Sequence, residues 1–156
     1  MILTAHKILT MLRGSAPIVD DGAVVINHGT IIAVGPSRRL IKKYPGHSVR
    51  RLPNAVLMPG LVNVHTHLEL PPLLKSIQAR AFPDWVLNLI KAKRSLYDHD
   101  YYMAAVRNVR SIIESGTTCV GEICTQGASP DILRKSHMRA RIFHELIDMS
   151  RNNGPG

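Results

Sequence analysis

Aromatic side chains are scarce in this chain, at one tryptophan, four tyrosines and two phenylalanines. None is interleaved with the basic residues, which fall in three stretches: Arg38, Arg39, Lys42 and Lys43; Lys91, Lys93 and Arg94; and Arg134, Lys135, Arg139 and Arg141. Each stretch flanks a predicted helix or strand as a solvated face does, so the net charge of +9 does not make nucleic acid an expected partner. Cysteine is almost missing. Cys119 and Cys124 lie in or beside an apolar run and lack the close spacing of a zinc knuckle or a redox pair, so both are expected to be reduced packing residues. Long apolar runs are missing too. Met1-Ile2-Leu3-Thr4-Ala5-His6-Lys7 is interrupted by polar groups before a signal-like core forms, and no run approaches membrane-spanning length. The expectation is a cytoplasmic protein with no membrane partner, and no internal repeat or low-complexity tract is visible.

What is present is concentrated in Val56-Leu57-Met58-Pro59-Gly60-Leu61-Val62-Asn63-Val64-His65-Thr66-His67-Leu68-Glu69-Leu70. Leu61 to Val64 are mostly branched and apolar, which suits a strand buried on both faces, as parallel sheets require. Pro59-Gly60 marks its entry. Side chains two apart in an extended chain point the same way, so His65 and His67 are expected to project together from the strand's carboxyl end and could share one metal ion.

Upstream, Ala23-Val24-Val25-Ile26 and Thr30-Ile31-Ile32-Ala33-Val34 read as a hairpin closed through Asn27-His28-Gly29, which makes His28 a turn residue. Ser37 is expected to cap a short helix from Arg38 to Tyr44, with short strands at 48–52 and 55–57 following. Downstream, Pro71-Pro72 break regular structure. A helical stripe of Trp85, Val86, Leu89, Ile90, Leu96 and Tyr97 follows. A longer helix from Tyr101 to Ser115 should bury Tyr102, Ala105, Val106, Val109, Ile112 and Ile113, with Asp98 or Asp100 at its start and Gly116 just past its end. Thr117 to Ile123 reads as a second buried strand, Ser129-Pro130-Asp131 as a capped helix start, and Ala140 to Ile147 as a third strand. Strand, helix, strand, helix, strand is the rhythm of a parallel α/β sheet.

The strings His65-Thr66-His67-Leu68-Glu69-Leu70, Phe82-Pro83-Asp84-Trp85, Ser115-Gly116-Thr117-Thr118 and Phe143-His144-Glu145-Leu146 resemble the amidohydrolase superfamily. Within it they are most similar to the deaminase and chlorohydrolase branch, in particular to aminofutalosine-deaminase-like members. The resemblance implies an α/β fold, with 59–150 as the first strands and helices, about three βα units, of a TIM-like (β/α)8 barrel. It implies that 1–58 is the N-terminal part of a small β-sandwich, with 151–156 a polar tail. A closed barrel alone takes about 250 residues, so 156 residues are expected to be an N-terminal portion.

The resemblance further implies one divalent metal, zinc in the first place and iron otherwise, held by His65 and His67. The family's other ligands, a histidine on strand five and an aspartate on strand eight, have no counterpart among these residues. The implied reaction is hydrolysis of a C–N bond by a metal-activated water, deaminating an amino-heterocycle such as an adenine-type ring or its nucleoside. Dechlorination is the lesser alternative, and a non-catalytic remnant that depends on assembly is the alternative to an enzyme; a homo-oligomer is compatible with either. Glu69, Glu122 and Glu145 are candidate substrate-binding carboxylates near strand ends, with a structural hydrogen bond or salt bridge as the equal alternative for each. Trp85 is a candidate for substrate contact against a simple packing role, and His144 is expected to be a packed or hydrogen-bonded residue.

Overall fold

The computed structural model describes residues 1–13 and 17–146. The chain divides into two compact units, Met1–Pro59 and Gly60–Gly156. The first is a four-stranded sheet in the order β3-β2-β1-β4, formed by β1 (Ile2–Leu9), β2 (Ile18–Asn27), β3 (Thr30–Pro36) and β4 (Val49–Leu57). β2 runs antiparallel to both β1 and β3, whereas β4 is parallel to β1. The predicted hairpin turn is present. His28 and Gly29 both have positive φ, at 45° and 75°, which is the backbone that matches a two-residue connection to the twist of its strands.

Alternation along β2 sorts this unit's two faces. Ala23 and Val25 join Ile2 and Leu40 of α1 (Ser37–Lys43) in one cluster, while Val24 joins Ala5 and Ile8 on the other face. Two expectations are corrected here. No side-chain cap opens α1, which starts directly after Pro36. The two short strands expected at 48–52 and 55–57 are one strand, β4, because a shift in the β1–β4 register beyond Ala5 absorbs the interruption at Pro53.

The second unit is a parallel sheet in the order β5-β6-β7, from β5 (Leu61–Thr66), β6 (Thr117–Cys124) and β7 (Arg139–His144). β5 is followed by a short 3-10 turn (Pro72–Ser76), α2 (Phe82–Lys93) and α3 (Asp98–Glu114); α4 (Ser129–Lys135) joins β6 to β7. Leu68, Ala105, Val109, Val120, Ile132 and Leu133 form its core. Gly116, at φ 87°, ends α3 in the left-handed conformation expected of it.

A strand buried on both faces is found at β6, which has a neighbour on each side, and not at β5. Val62 and Val64 on β5 are 62% and 77% exposed, because β5 lies at the edge of this sheet. The third strand ends at His144, and the part of the predicted strand at Ile147 lies outside the described residues. The buried face of α3 is also displaced from the one predicted. It carries Tyr101, Ala104, Ala105 and Val109, while Tyr102, Val106 and Ile113 are exposed. Asn108 explains the rotation, since its amide nitrogen donates to the carbonyls of Leu68 and Leu70 at 2.9 and 3.1 Å and so fixes which side of α3 meets the chain after β5.

Candidate functional site

The site is built where β5 ends. Opposite Gly121 of β6 the β5–β6 register is irregular between Asn63 and Thr66, so β5 carries an extra residue there. Bulges of this kind free backbone groups and re-aim side chains. The His65 amide is taken up by the side chain of its own neighbour Asn63, which accepts from it at 3.2 Å. Gly121 is required at this point, because a Cβ there would lie 2.3 Å from the carbonyl oxygen of Val64.

His65 and His67 do emerge together. Their Nε2 atoms are 3.2 Å apart and their rings are inclined at 73°. Two imidazole nitrogens each about 2.0–2.1 Å from one tetrahedral zinc ion stand about 3.3–3.4 Å apart, so the spacing of the pair suits a shared divalent ion. Burial pushes the His67 imidazole below its usual pKa, the neighbouring His65 adds to that, and Glu145 opposes it. The neutral form that a metal requires is thereby favoured at His67. Among the described residues no third His, Cys, Asp or Glu completes a metal-holding group.

The carboxylates part company. Glu69 would face the same way as the histidines only if the strand continued, but β5 stops at Thr66 and a turn closes with the Leu70 amide donating to the His67 carbonyl at 3.2 Å. Glu69 is 1% exposed. Its Oε2 accepts from the amides of Thr125 and Gln126, and its Oε1 from the amide and hydroxyl of Ser129 and from the Cys124 thiol. Burial pushes this carboxyl up, and the bonds from Ser129, Gln126, Cys124 and Thr125 outweigh it, holding Glu69 below the ordinary carboxylate range. Ser129 was expected to cap α4; its hydroxyl is instead held by Glu69, and α4 has no side-chain cap.

Glu122, on β6 beside Thr66, is fully buried and bonded to Thr66 and to the Leu68 amide. Glu145 is half-buried just past β7, with its amide donating to the Cys124 carbonyl at 2.9 Å. Trp85 is half-buried in α2, stacked on Phe82. It lines a cavity of about 490 Å³ together with His67, Leu70, Leu74, Leu89 and Asn108. His144 is exposed on β7 and not packed, because β7 is the other edge of the sheet. Sequence reasoning missed Thr66 and Asn108, and read Ser129 as a helix cap and not as a partner of Glu69. Asn108 alone left a signal, a polar residue at i+4 from Ala104 and i+7 from Tyr101 on an otherwise apolar helical face.

The chain is 31% identical over 130 residues to an aminodeoxyfutalosine deaminase of a Nitratiruptor species, an alignment covering 83% of this chain and 32% of that protein. Its fold matches the crystal structure of the Helicobacter pylori aminofutalosine deaminase in complex with methylthio-coformycin, with a TM-score of 0.75 and 23% identity over 91% of this chain and 34% of that one. It also matches an adenosine deaminase from Xanthomonas campestris with bound zinc, with a TM-score of 0.70 and 19% identity over 89% of this chain and 32% of that one. The chain thus spans about a third of the length of the relatives it matches. No helix among the described residues is long and apolar enough to cross a membrane. The model of the amidohydrolase family matches residues 56–144, which takes in the histidine pair, all three parallel strands and more than half of the sequence, and the chain belongs to that family.

Proposed function

We propose that this chain supplies the first part of the active site of a hydrolytic deaminase acting on an amino-heterocycle of the adenine type, free or as a nucleoside. The observation that supports it most is the 3.2 Å approach of His65 and His67 at the carboxyl end of β5, the end at which β/α barrels carry their chemistry. In this reading Gly60 onward forms the opening strands and helices of a TIM-like (β/α)8 barrel, about three βα units, and the sheet of the first unit is part of a small β-sandwich. The relatives named as deaminases, and the zinc in the Xanthomonas campestris structure, support the reaction class and the metal.

His65 and His67 would hold the ion, zinc or else iron, as neutral imidazoles. When bound, such an ion lowers the pKa of a water molecule toward about 7 and so supplies a nucleophile at neutral pH. The chain's own residues orient and enclose. Trp85, Leu70, Leu74 and Leu89 give the cavity beside His67 an apolar wall on which a flat heterocycle can lie. Glu145, whose charge acts on His67, is in this reading the candidate acceptor for a polar hydrogen of the substrate. Glu69 and Glu122, both buried and hydrogen-bonded within the protein, support the histidine-bearing segment in this reading.

The test has two parts. In the 156-residue chain, zinc should bind weakly and be released by a mild chelator, because a catalytic site ordinarily needs three protein ligands; either His65→Ala or His67→Ala should abolish that binding. In the full-length enzyme, the same substitutions should abolish ammonia release from adenine-type nucleosides. Unchanged zinc binding in either variant would remove the pair from the metal role.

A further inference from the structure

The face of the β5–β6 pair opposite the imidazoles carries polar groups that the histidine site does not use. Thr66 and Glu122 are register partners, and both are buried. The Leu68 amide donates to both Glu122 carboxyl oxygens, at 3.0 and 3.1 Å. Thr66 Oγ1 lies 2.6 Å from Glu122 Oε2 and 3.2 Å from the Gly121 carbonyl oxygen. A hydroxyl has one proton to give, yet here it faces two groups that are both acceptors if the carboxyl is ionised.

A proton on Glu122 closes the count. The carboxyl O–H then donates to Thr66 Oγ1, and the Thr66 hydroxyl donates to the Gly121 carbonyl. The surroundings agree with this. The groups acting on Glu122 are the Thr66 and Ser129 hydroxyls, the Leu68 amide and Glu69, so the titratable group among them has like charge. Burial pushes the Glu122 carboxyl up, the hydrogen bonds oppose this, and the charge of Glu69 adds to it. Of these two neighbouring buried carboxyls, Glu69 is held below the ordinary carboxylate range by its ring of amides and Glu122 is pushed above it.

We propose that Glu122, in its protonated form, is a positioning residue that ties Thr66 and Leu68 to β6 and thereby fixes the spacing of the His65 and His67 rings. Thr66 sits between the two histidines, and Leu68 directly follows the second. A clamp on both leaves the intervening His67 little freedom. The consequence for metal binding rests on the reading of the histidine pair given above. The spacing itself does not.

The test compares the wild-type chain with Glu122→Gln, whose amide reproduces a protonated carboxyl, and with Glu122→Ala, which removes both bonds. Three quantities are read: ring-nitrogen NMR shifts of His65 and His67 in metal-free protein, the infrared carboxyl bands in the wild-type minus Glu122→Gln difference spectrum, and zinc affinity. The expected result is unchanged ring shifts and near-wild-type affinity in Glu122→Gln. In Glu122→Ala the shifts move and affinity falls by about 10–100-fold, as when partners of metal-bound histidines are lost. The difference spectrum at neutral pH shows a protonated-acid carbonyl band. A carboxylate pair in that spectrum, ring shifts in Glu122→Gln that depart from wild type, or unmoved rings in a folded Glu122→Ala each overturn the proposal. Should wild type bind no zinc, the metal reading fails by itself, and the ring shifts and infrared bands still decide the role of Glu122. If Glu122→Ala does not fold, Glu122→Gln and wild type decide it by the same two measurements.

Discussion

Replacing Glu69 by glutamine alters no shape and removes one charge, yet the hydrogen-bond pattern makes it a costly change. Oε2 receives the Gln126 and Thr125 amides at 2.7 and 3.1 Å, and Oε1 receives the Ser129 amide at 2.9 Å with the Ser129 hydroxyl and Cys124 thiol both at 3.2 Å. A glutamine NH2 turned either way meets at least one backbone N–H, which cannot reverse its role. The lesser conflict turns it toward Ser129, where the hydroxyl and the thiol can become acceptors and only the Ser129 amide is left without one. An unpaired buried donor costs about 1–3 kcal/mol, and the two bonds that become neutral lose about 1 kcal/mol each. The expected loss is therefore about 3–5 kcal/mol at neutral pH, read from urea denaturation.

The pH dependence follows from the same bonds. The folded-state pKa of Glu69 lies below its unfolded value, so its stabilisation is fully present above the unfolded value. It is lost as pH falls through the ordinary carboxylate range and on through the lower folded value. Glu69→Gln lacks this dependence, and the gap between the two proteins should narrow steadily on acidification. A loss under about 1 kcal/mol at neutral pH, below the cost of one unpaired buried donor, or a gap that widens on acidification, would refute the reasoning.

Two further outcomes are expected. Gly121→Ala would drive a methyl group into the Val64 carbonyl, 2.3 Å away on backbone that cannot swing aside; it should cost about 1–3 kcal/mol as overpacking does and speed amide exchange along β5, and exchange confined to wild-type rates there would count against the close approach. The 156-residue chain should associate through its exposed edge strands, where Val62, Val64 and Phe143 are open to solvent, so gel filtration should show species larger than a monomer that Val64→Lys and Phe143→Lys reduce, whereas a monomer with strong protection in β5, β6 and β7 would show the edges to be harmless.

The sequence by itself determined what depends on neighbours along the chain. The period of two placed His65 and His67 on one side of an extended segment, and the left-handed positions at Gly29 and Gly116 followed from the need for positive φ at a hairpin turn and past a helix end. The βαβ rhythm gave the parallel sheet, because two parallel strands can be joined only by a crossover. Tertiary structure decided everything that depends on which strand lies beside which. Burial on both faces went to β6 because it is central, although the apolar run from Leu61 to Val64 on β5 carried that expectation. Glu69 and Glu122 look alike in sequence, each a glutamate among apolar residues near a strand end. The chain's turn after β5 gives one a ring of amides from a loop more than fifty residues away, while the β5–β6 register gives the other a threonine hydroxyl across the sheet. A carboxyl's protonation is set by its donors, and donors that distant in sequence meet it only once the sheet has formed.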